Sequence, residues 1–109
     1  MTTADYQIRQ LLQELSPPDS GKQSLVVSDD AHAKVVLFAF AAGAGLVRHV
    51  APLPAIIQII QGQAELMVGE ESVTGQPGTW IRMAAQTPHQ IHATTPVIML
   101  LTLLKAAGH

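Results

Sequence analysis

The 109-residue chain contains no cysteine, and only 13% of its residues are charged and 4% are aromatic. The lack of thiols excludes a disulfide scaffold, a cysteine nucleophile, a zinc ribbon and an iron–sulfur site. Because 48% of the residues are hydrophobic and the net charge is −2, the composition also excludes intrinsic disorder. We therefore expect one globular domain that buries about two-thirds of the surface of its unfolded chain.

Positive charge and long apolar runs are also scarce. Lysine and arginine together number 6, too few for nucleic-acid binding driven by counterion release. The longest uncharged apolar stretch covers residues 35–47 and is interrupted by glycines, whereas a membrane-spanning helix needs about 20 apolar residues. The N-terminus lacks the continuous apolar segment of a signal peptide. The sequence thus predicts a cytoplasmic protein with no nucleic-acid and no membrane partner.

An amphipathic helix is predicted over residues 3–15, within an N-terminal helix and linker at 1–24. Its apolar positions follow the helical period and form one stripe: Ile8, Leu11, Leu12 and Leu15. Thr2 and Asp5 have the spacing of a capping box, and Pro17 prevents continuation of the helix. We expect the stripe to cover one face or end of a sheet, or to contact a second copy of the chain.

Residues 25–105, which follow this segment, have the pattern of short strands. Its apolar runs are rich in Val and Ile and are separated by glycine-containing turns at 69–71 and 75–78. The predicted strands are residues 25–27, 34–40, 46–50, 55–61, 64–68, 79–83, 90–93 and 97–105. No helix-length segment separates them, which argues against a parallel β-α-β sheet and favours an all-β sandwich or barrel.

Glycine and histidine recur in this region at fixed spacings. Gly43, His49 and Gly62 fit the pattern G-x5-H-x-H-x3-E-x6-G. Gly78 and His89 fit the pattern G-x5-P-x-G-x2-H-x3-N. This spacing resembles the two signature motifs of the cupin superfamily, in particular its small single-domain cupin 2 type. The resemblance implies an all-β fold, a cupin double-stranded β-helix (jelly-roll barrel), here with a short N-terminal α-helix.

The motifs are incomplete. In metal-binding cupins, two His and the Glu of the first motif and the His of the second bind a divalent metal. Here Ala51 and Ala55 stand at the second His and the Glu positions, so that only His49 and His89 remain. A catalytic zinc site uses three protein ligands, so the resemblance implies no metal or a weakly bound one, and weighs against an enzyme. The Pro, Gly and Asn positions of the second motif hold Ala84, Gln86 and Ala93.

No carboxylate is expected to replace the missing Glu. Beyond residue 30, the acidic residues are Glu65, Glu70 and Glu71. Glu65 alternates with apolar neighbours and is expected on the solvent face of its strand, while Glu70 and Glu71 are predicted in a turn.

The two alanines leave space at the mouth of the predicted barrel, where ligands commonly bind. If His49 points into the barrel, strand alternation also turns Val47 inward. If His89 points inward, the same alternation leaves His92 on the surface. The predicted ligand pocket consists of His49, Ala51, Ala55, Ile57, Met83, His89 and Ile91. Alternatively, Met83 or Trp80 fills this space.

Three functions remain open. The first is binding of a small, largely apolar ligand in the barrel, with His49 and His89 as its polar contacts. The second is a metal-dependent enzyme, dioxygenase- or isomerase-like, that uses the same two histidines. The third is a sensor or dimeric interaction module with a packed barrel. The resemblance also implies a homodimer that forms through the sheets.

Overall fold

The computed structural model describes residues 5–105, which form one short helix and nine strands. The helix α1 spans Leu11–Glu14. The strands are β1 (Lys22–Asp29), β2 (Ala33–Phe40), β3 (Gly45–His49), β4 (Ala55–Gln61), β5 (Ala64–Val68), β6 (Glu71–Gly75), β7 (Trp80–Met83), β8 (His89–Ala93) and β9 (Val97–Leu104). Within the described residues, no helix has the length and apolar character needed to cross a membrane.

The strands form two antiparallel sheets. The five-stranded sheet has the order β1-β2-β9-β4-β7, and the four-stranded sheet has the order β3-β8-β5-β6. Successive strands such as β3 and β4 lie in different sheets, so the chain crosses repeatedly from one sheet to the other. This is the connectivity of a jelly roll, and the predicted all-β jelly-roll fold is confirmed.

Most strand positions agree with the sequence pattern, but β6 was not predicted. β4 and β5 have the predicted bounds, and the other predicted strands differ at their ends by at most three residues. β6 contains a single apolar residue with a large side chain, Val73, so it has no apolar run to reveal it. It forms because its backbone pairs with β5, from Ala64↔Gly75 to Val68↔Glu71. The assignment of Glu71 to a turn was therefore wrong.

The main hydrophobic core lies between the two sheets. Alternate residues of β4 point into it, as the burial of Ala55, Ile57 and Ile59 shows. The buried residues of this core are Phe40, Ala55, Ile57, Ile59, Ala64, Leu66, Met83, Ile91, Ala93, Val97 and Met99. Burial of each large apolar side chain stabilises the fold by about 1.5–3 kcal/mol, so this core fixes the relative position of the sheets.

The N-terminal segment covers part of the outer face of the five-stranded sheet. Leu11 and Leu15 pack there against a second cluster of buried residues, which consists of Leu37, Ala39 and Ile98. The helix is shorter than predicted, however, because residues 6–10 are not helical. Ile8 and Leu12 are 76% and 52% exposed, so the predicted four-residue stripe was wrong for these two side chains. Thr2, the expected cap, lies outside the described residues.

Contacts with β1 explain the short helix. The register of β1 shifts between Val26 and Ser28, which leaves Val27 without a partner in β2. The Val27 carbonyl accepts hydrogen bonds from Arg9 Nη1 at 2.8 Å and from Gln7 Nε2 at 3.2 Å. Arg9 also pairs with Glu14, which lowers the pKa of that carboxyl group. These contacts hold the segment in a non-helical conformation that the apolar period alone does not reveal.

Three glycines of the two motifs have positive φ angles, 86° at Gly43, 87° at Gly62 and 98° at Gly78. Residues with a side chain rarely adopt this conformation. At Gly62 a Cβ atom would also lie 2.0 Å from the carbonyl oxygen of Pro96, whereas the space around Gly78 is open. Gly62 is therefore required both by its backbone angle and by the close approach of the neighbouring loop.

Candidate functional site

Four strand ends meet at one end of the barrel. β3 ends at His49, β4 begins at Ala55, β7 ends at Met83 and β8 begins at His89. Two loops, 50–54 and 84–88, connect these strands, and we call this end the barrel mouth. The loops are joined by a hydrogen bond of 2.8 Å from the backbone N–H of Gln86 to the carbonyl oxygen of Ala51. The fold thus brings both histidines of the sequence motifs to the same place.

His89 is the only buried polar residue among residues 5–105, with 6% of its surface exposed. Its Nδ1 lies 2.9 Å from the carbonyl oxygen of Thr87. A carbonyl can only accept, so Nδ1 carries the proton and Nε2 of the neutral ring keeps its lone pair. Nε2 accepts no hydrogen bond from the described residues. Because every fully buried side-chain nitrogen among these residues has a partner, Nε2 is not fully buried. Nε2 therefore keeps some accessible surface at the mouth.

His49 has the same arrangement on the other side of the mouth. Its Nδ1 donates to the carbonyl oxygen of Val47 at 2.7 Å, which leaves Nε2 as the free acceptor of the neutral ring. His49 is exposed, and its ring centroid lies 4.3 Å from that of His89, with an angle of 58° between the rings. Two imidazoles with fixed Nδ1 atoms thus present two acceptor nitrogens to the mouth.

A β-bulge changes the orientation of the residues before His49. The register of β3 with β8 shifts between Leu46 and His49. Leu46 packs against the core. His49 is three positions after Leu46 and would lie on the opposite face of a regular strand, yet its ring contacts that of His89. Val47 is 85% exposed, so its predicted inward orientation was wrong. The cause is the bulge, since an extra residue reverses the alternation of the strand.

The other predicted pocket residues lie below the mouth or at its rim. Ala51 is half-buried in the loop, and Ala55 is 1% exposed opposite Met83 on the neighbouring strand. Ile57, Met83 and Ile91 belong to the main core and are 3–5% exposed. Trp80 lies on the outer face of β7 and is 55% exposed, so it does not fill the space beside the alanines. The side chain beside Ala55 is that of Met83.

No protein-family model matches the chain, and no curated protein matches its sequence. Solved structures do match it. A conserved protein of unknown function from Streptococcus pyogenes is 25% identical, with a TM-score of 0.81 over 97% of this chain and 93% of that one. A cupin superfamily protein from Desulfitobacterium hafniense is 16% identical, with a TM-score of 0.80 over 95% and 94%. An RmlC-like cupin from Desulfovibrio desulfuricans is 24% identical, with a TM-score of 0.81 over 91% and 96%.

The protein has the fold of a small cupin barrel. The match extends over nearly the full length of these structures, which agrees with the motif spacing in the sequence. At these identities the likeness establishes the fold, whereas the chemistry depends on the residues at the mouth.

The residues of this cupin barrel do not fit a complete metal centre. Glu65 is exposed and accepts a hydrogen bond from Thr74 on the outer face of the four-stranded sheet. Glu70 and Glu71 are also exposed. Among residues 5–105, no three His, Asp or Glu side chains come together as metal ligands. The two imidazoles at the mouth therefore have no carboxylate beside them.

A separate groove of about 290 Å³ lies along β3 and β8. It is lined by Gly43, Gly45, Leu46, Val47, Gln90, Ile91 and His92. His92 is exposed there, as the alternation of β8 predicted. This groove does not include the two histidines of the mouth, and sequence reasoning did not identify it because the bulge that exposes Val47 leaves no sequence signal.

Sequence reasoning also gave no role to Gln86. The structure places it in the loop 84–88 of the mouth, where its backbone N–H donates to the Ala51 carbonyl and the next residue, Thr87, orients His89. The sequence feature that could have identified Gln86 is that a glutamine stands where the second motif has glycine.

Proposed function

We propose that this cupin barrel binds a small, largely apolar molecule at its mouth, through the Nε2 atoms of His49 and His89. The observation that carries the proposal is the matched orientation of the two rings, which turns both Nδ1 protons towards backbone carbonyls. Fixing both tautomers in this way allows the two Nε2 atoms to accept hydrogen bonds from a ligand at the same time.

The surroundings indicate the chemical class of the ligand. The predicted pocket residues at this end of the barrel, other than the histidines, are apolar: Ala55 and Met83 pair on adjacent strands and are almost fully buried, and Ala51 lies in the loop after His49. No carboxylate lies among these residues, so the histidine pair itself provides the polar contacts. Nε2 lone pairs accept hydrogen bonds, and the expected ligand is therefore a neutral molecule with an apolar body and a hydroxyl or N–H donor.

Weak binding of a divalent metal is the second candidate function. Histidine ligands of metals usually donate their other ring nitrogen to a carbonyl or carboxylate, and both mouth histidines have this arrangement. Two imidazoles fall short of the three protein ligands of a catalytic zinc site, so we expect low affinity. A dioxygenase- or isomerase-like reaction would need further ligands from water or substrate, and we derive no reaction step from this pair.

Phenol and anisole distinguish a site that accepts a hydrogen bond from the ligand from a site that offers only apolar contacts. Both have a single aromatic ring, but only phenol has a donor. In NMR titrations that follow the imidazole signals, we expect phenol to bind with a dissociation constant on the order of 1 mM and anisole to bind about fivefold more weakly. His49→Ala and His89→Ala should each remove this preference.

His92→Ala is the matched control, because His92 lies on the same strand as His89 but on the outer face. It should retain the preference for phenol. Equal affinity for the two probes would refute the acceptor role of the histidines. If neither probe binds, the proposal fails and the packed interaction module gains support.

A further inference from the structure

Gln86 has an unusual backbone conformation. Its φ angle is 68°, and it is the only residue other than glycine with a positive φ among residues 5–105. This left-handed region is unfavourable for residues with a Cβ atom and is readily adopted by glycine. Gln86 occupies the glycine position of the second motif pattern. The loop thus keeps the backbone shape that glycine allows, but it carries a long polar side chain at a conformational cost.

The backbone of Gln86 is connected to the loops that carry both histidines of the mouth. Its backbone N–H donates to the carbonyl oxygen of Ala51 at 2.8 Å, two residues after His49. The carbonyl oxygen of the next residue, Thr87, accepts from Nδ1 of His89 at 2.9 Å. The left-handed turn at residue 86 therefore helps to orient the His89 ring.

The side chain of Gln86 is not used by the fold. It is exposed, and its amide makes no hydrogen bond to another side chain or to the backbone within residues 5–105. The conformation of the loop does not need it either, since glycine would adopt the same φ angle more easily. A strained backbone beside a candidate site, with an unoccupied amide on it, indicates a functional side chain.

We propose that Gln86 is a specificity-determining residue of the mouth, whose amide binds a second polar atom of the ligand. This assignment rests on the proposed function. The histidine pair accepts a hydrogen bond from the ligand, whereas an amide can both donate and accept. The ligand class narrows to small neutral molecules that carry a hydroxyl or N–H donor and, one or two carbons further along, a second hydroxyl or carbonyl group.

Two related probes test this assignment. Phenol has one polar group, and 2-(hydroxymethyl)phenol has a second one next to it. We expect the wild-type protein to bind 2-(hydroxymethyl)phenol about fivefold more tightly than phenol, the effect of one additional hydrogen bond. Gln86→Gly should reduce this ratio to about 1 while its Tm stays equal or rises by a few degrees, because the backbone strain is relieved.

Gln86→Asn and Gln76→Ala complete the experiment. Asn tolerates the left-handed conformation and retains the amide, so it should restore at least about half of the ratio. Gln76 is an exposed glutamine in the turn at the other end of β7, and its substitution should leave the ratio unchanged.

Three results would overturn the assignment. The ratio in Gln86→Gly could equal that of the wild type, Gln86→Asn could behave like Gln86→Gly, or the wild type could bind both probes equally. Each of these outcomes leaves the proposed function intact if phenol is still preferred over anisole. Failure of the wild type to bind any of these probes refutes the proposed function itself and, with it, the role of Gln86.

Discussion

The rings of His49 and His89 lie 4.3 Å apart, and each is oriented by the backbone carbonyl of the residue two positions before it. Val47 and Thr87 supply these carbonyls from different strands and loops of the barrel. The pair therefore presents two Nε2 lone pairs at a mouth where no third ligand is available among the described residues. The chemistry of this cupin barrel follows from that arrangement.

Removal of either imidazole should leave the fold intact. His49 is exposed, so His49→Ala should lower the free energy of unfolding by less than about 1 kcal/mol. His89 is buried and has one hydrogen bond to lose, so His89→Ala should cost about 1–2 kcal/mol. Urea unfolding checks both values. A loss above about 3 kcal/mol in either variant would show that these residues are part of the structural core.

We predict that Ala51 limits the affinity of the mouth for metal ions. The wild-type protein, purified without a histidine tag, should contain less than about 0.1 equivalents of divalent metal. Ala51→His adds an imidazole two residues after His49 and should raise the affinity for Zn²⁺ by about tenfold or more, as measured by calorimetry. Ala42→His, in the exposed loop before β3, is the control and should have little effect. Tight binding of Zn²⁺ by the wild type would contradict the account of an incomplete site.

Alanine substitutions at Gly62 and Gly78 distinguish the cost of backbone strain from the cost of a steric clash. Both have positive φ angles, but only at Gly62 would a Cβ atom approach the Pro96 carbonyl oxygen, at 2.0 Å. Gly78→Ala should therefore cost about 1 kcal/mol of unfolding free energy. Gly62→Ala should cost more than about 3 kcal/mol because the backbone has to move. Similar losses in the two variants, measured by urea unfolding, would refute the clash.

The contact between Arg9 and Glu14 should make stability depend on pH in the acidic range. The hydrogen bond from Arg9 lowers the pKa of Glu14 in the folded state. The contact therefore stabilises the fold above the unfolded pKa, and this contribution is lost as the pH falls through the lowered folded pKa. Glu14→Gln should lose less stability than the wild type when the pH is lowered from about 6 to about 3, as measured by urea midpoints.

The size of this effect should be modest, because the pair lies at the surface, where about a quarter of each side chain is exposed (27% and 23%) and salt screens the charges. Glu70→Gln serves as the control, since Glu70 is an exposed residue of the turn before β6. It should show the pH dependence of the wild type. If Glu14→Gln also retains it, the contact does not contribute to stability.

The fold was predictable because several sequence signals agree. Apolar runs located most strands, and β4 and β5 were placed with their correct ends. The spacing of Gly43, Gly62 and Gly78 reflects positive φ angles that the barrel requires. What could not be predicted depends on tertiary contacts: β6 forms by pairing with β5, and Arg9 is held by the Val27 carbonyl.

The candidate site was predictable only in part. The motif spacing correctly predicted that His49 and His89 lie close together. The alternation of side chains correctly predicted that Glu65 lies on the solvent face of its strand. Alternation failed at Val47, where the bulge in β3 reverses it. The ring tautomers depend on backbone carbonyls that no sequence pattern reveals. The ligand pocket and the homodimer stay predictions.

The tautomers of His49 and His89 test the central claim most directly. In long-range proton–nitrogen NMR spectra of the labelled protein near neutral pH, both Nδ1 atoms should be protonated and both Nε2 atoms unprotonated. Addition of phenol should shift the two Nε2 signals, and anisole should not. Protonated Nε2 atoms in the free protein, or Nε2 signals that do not respond to phenol, would contradict the proposal that this pair forms the binding site.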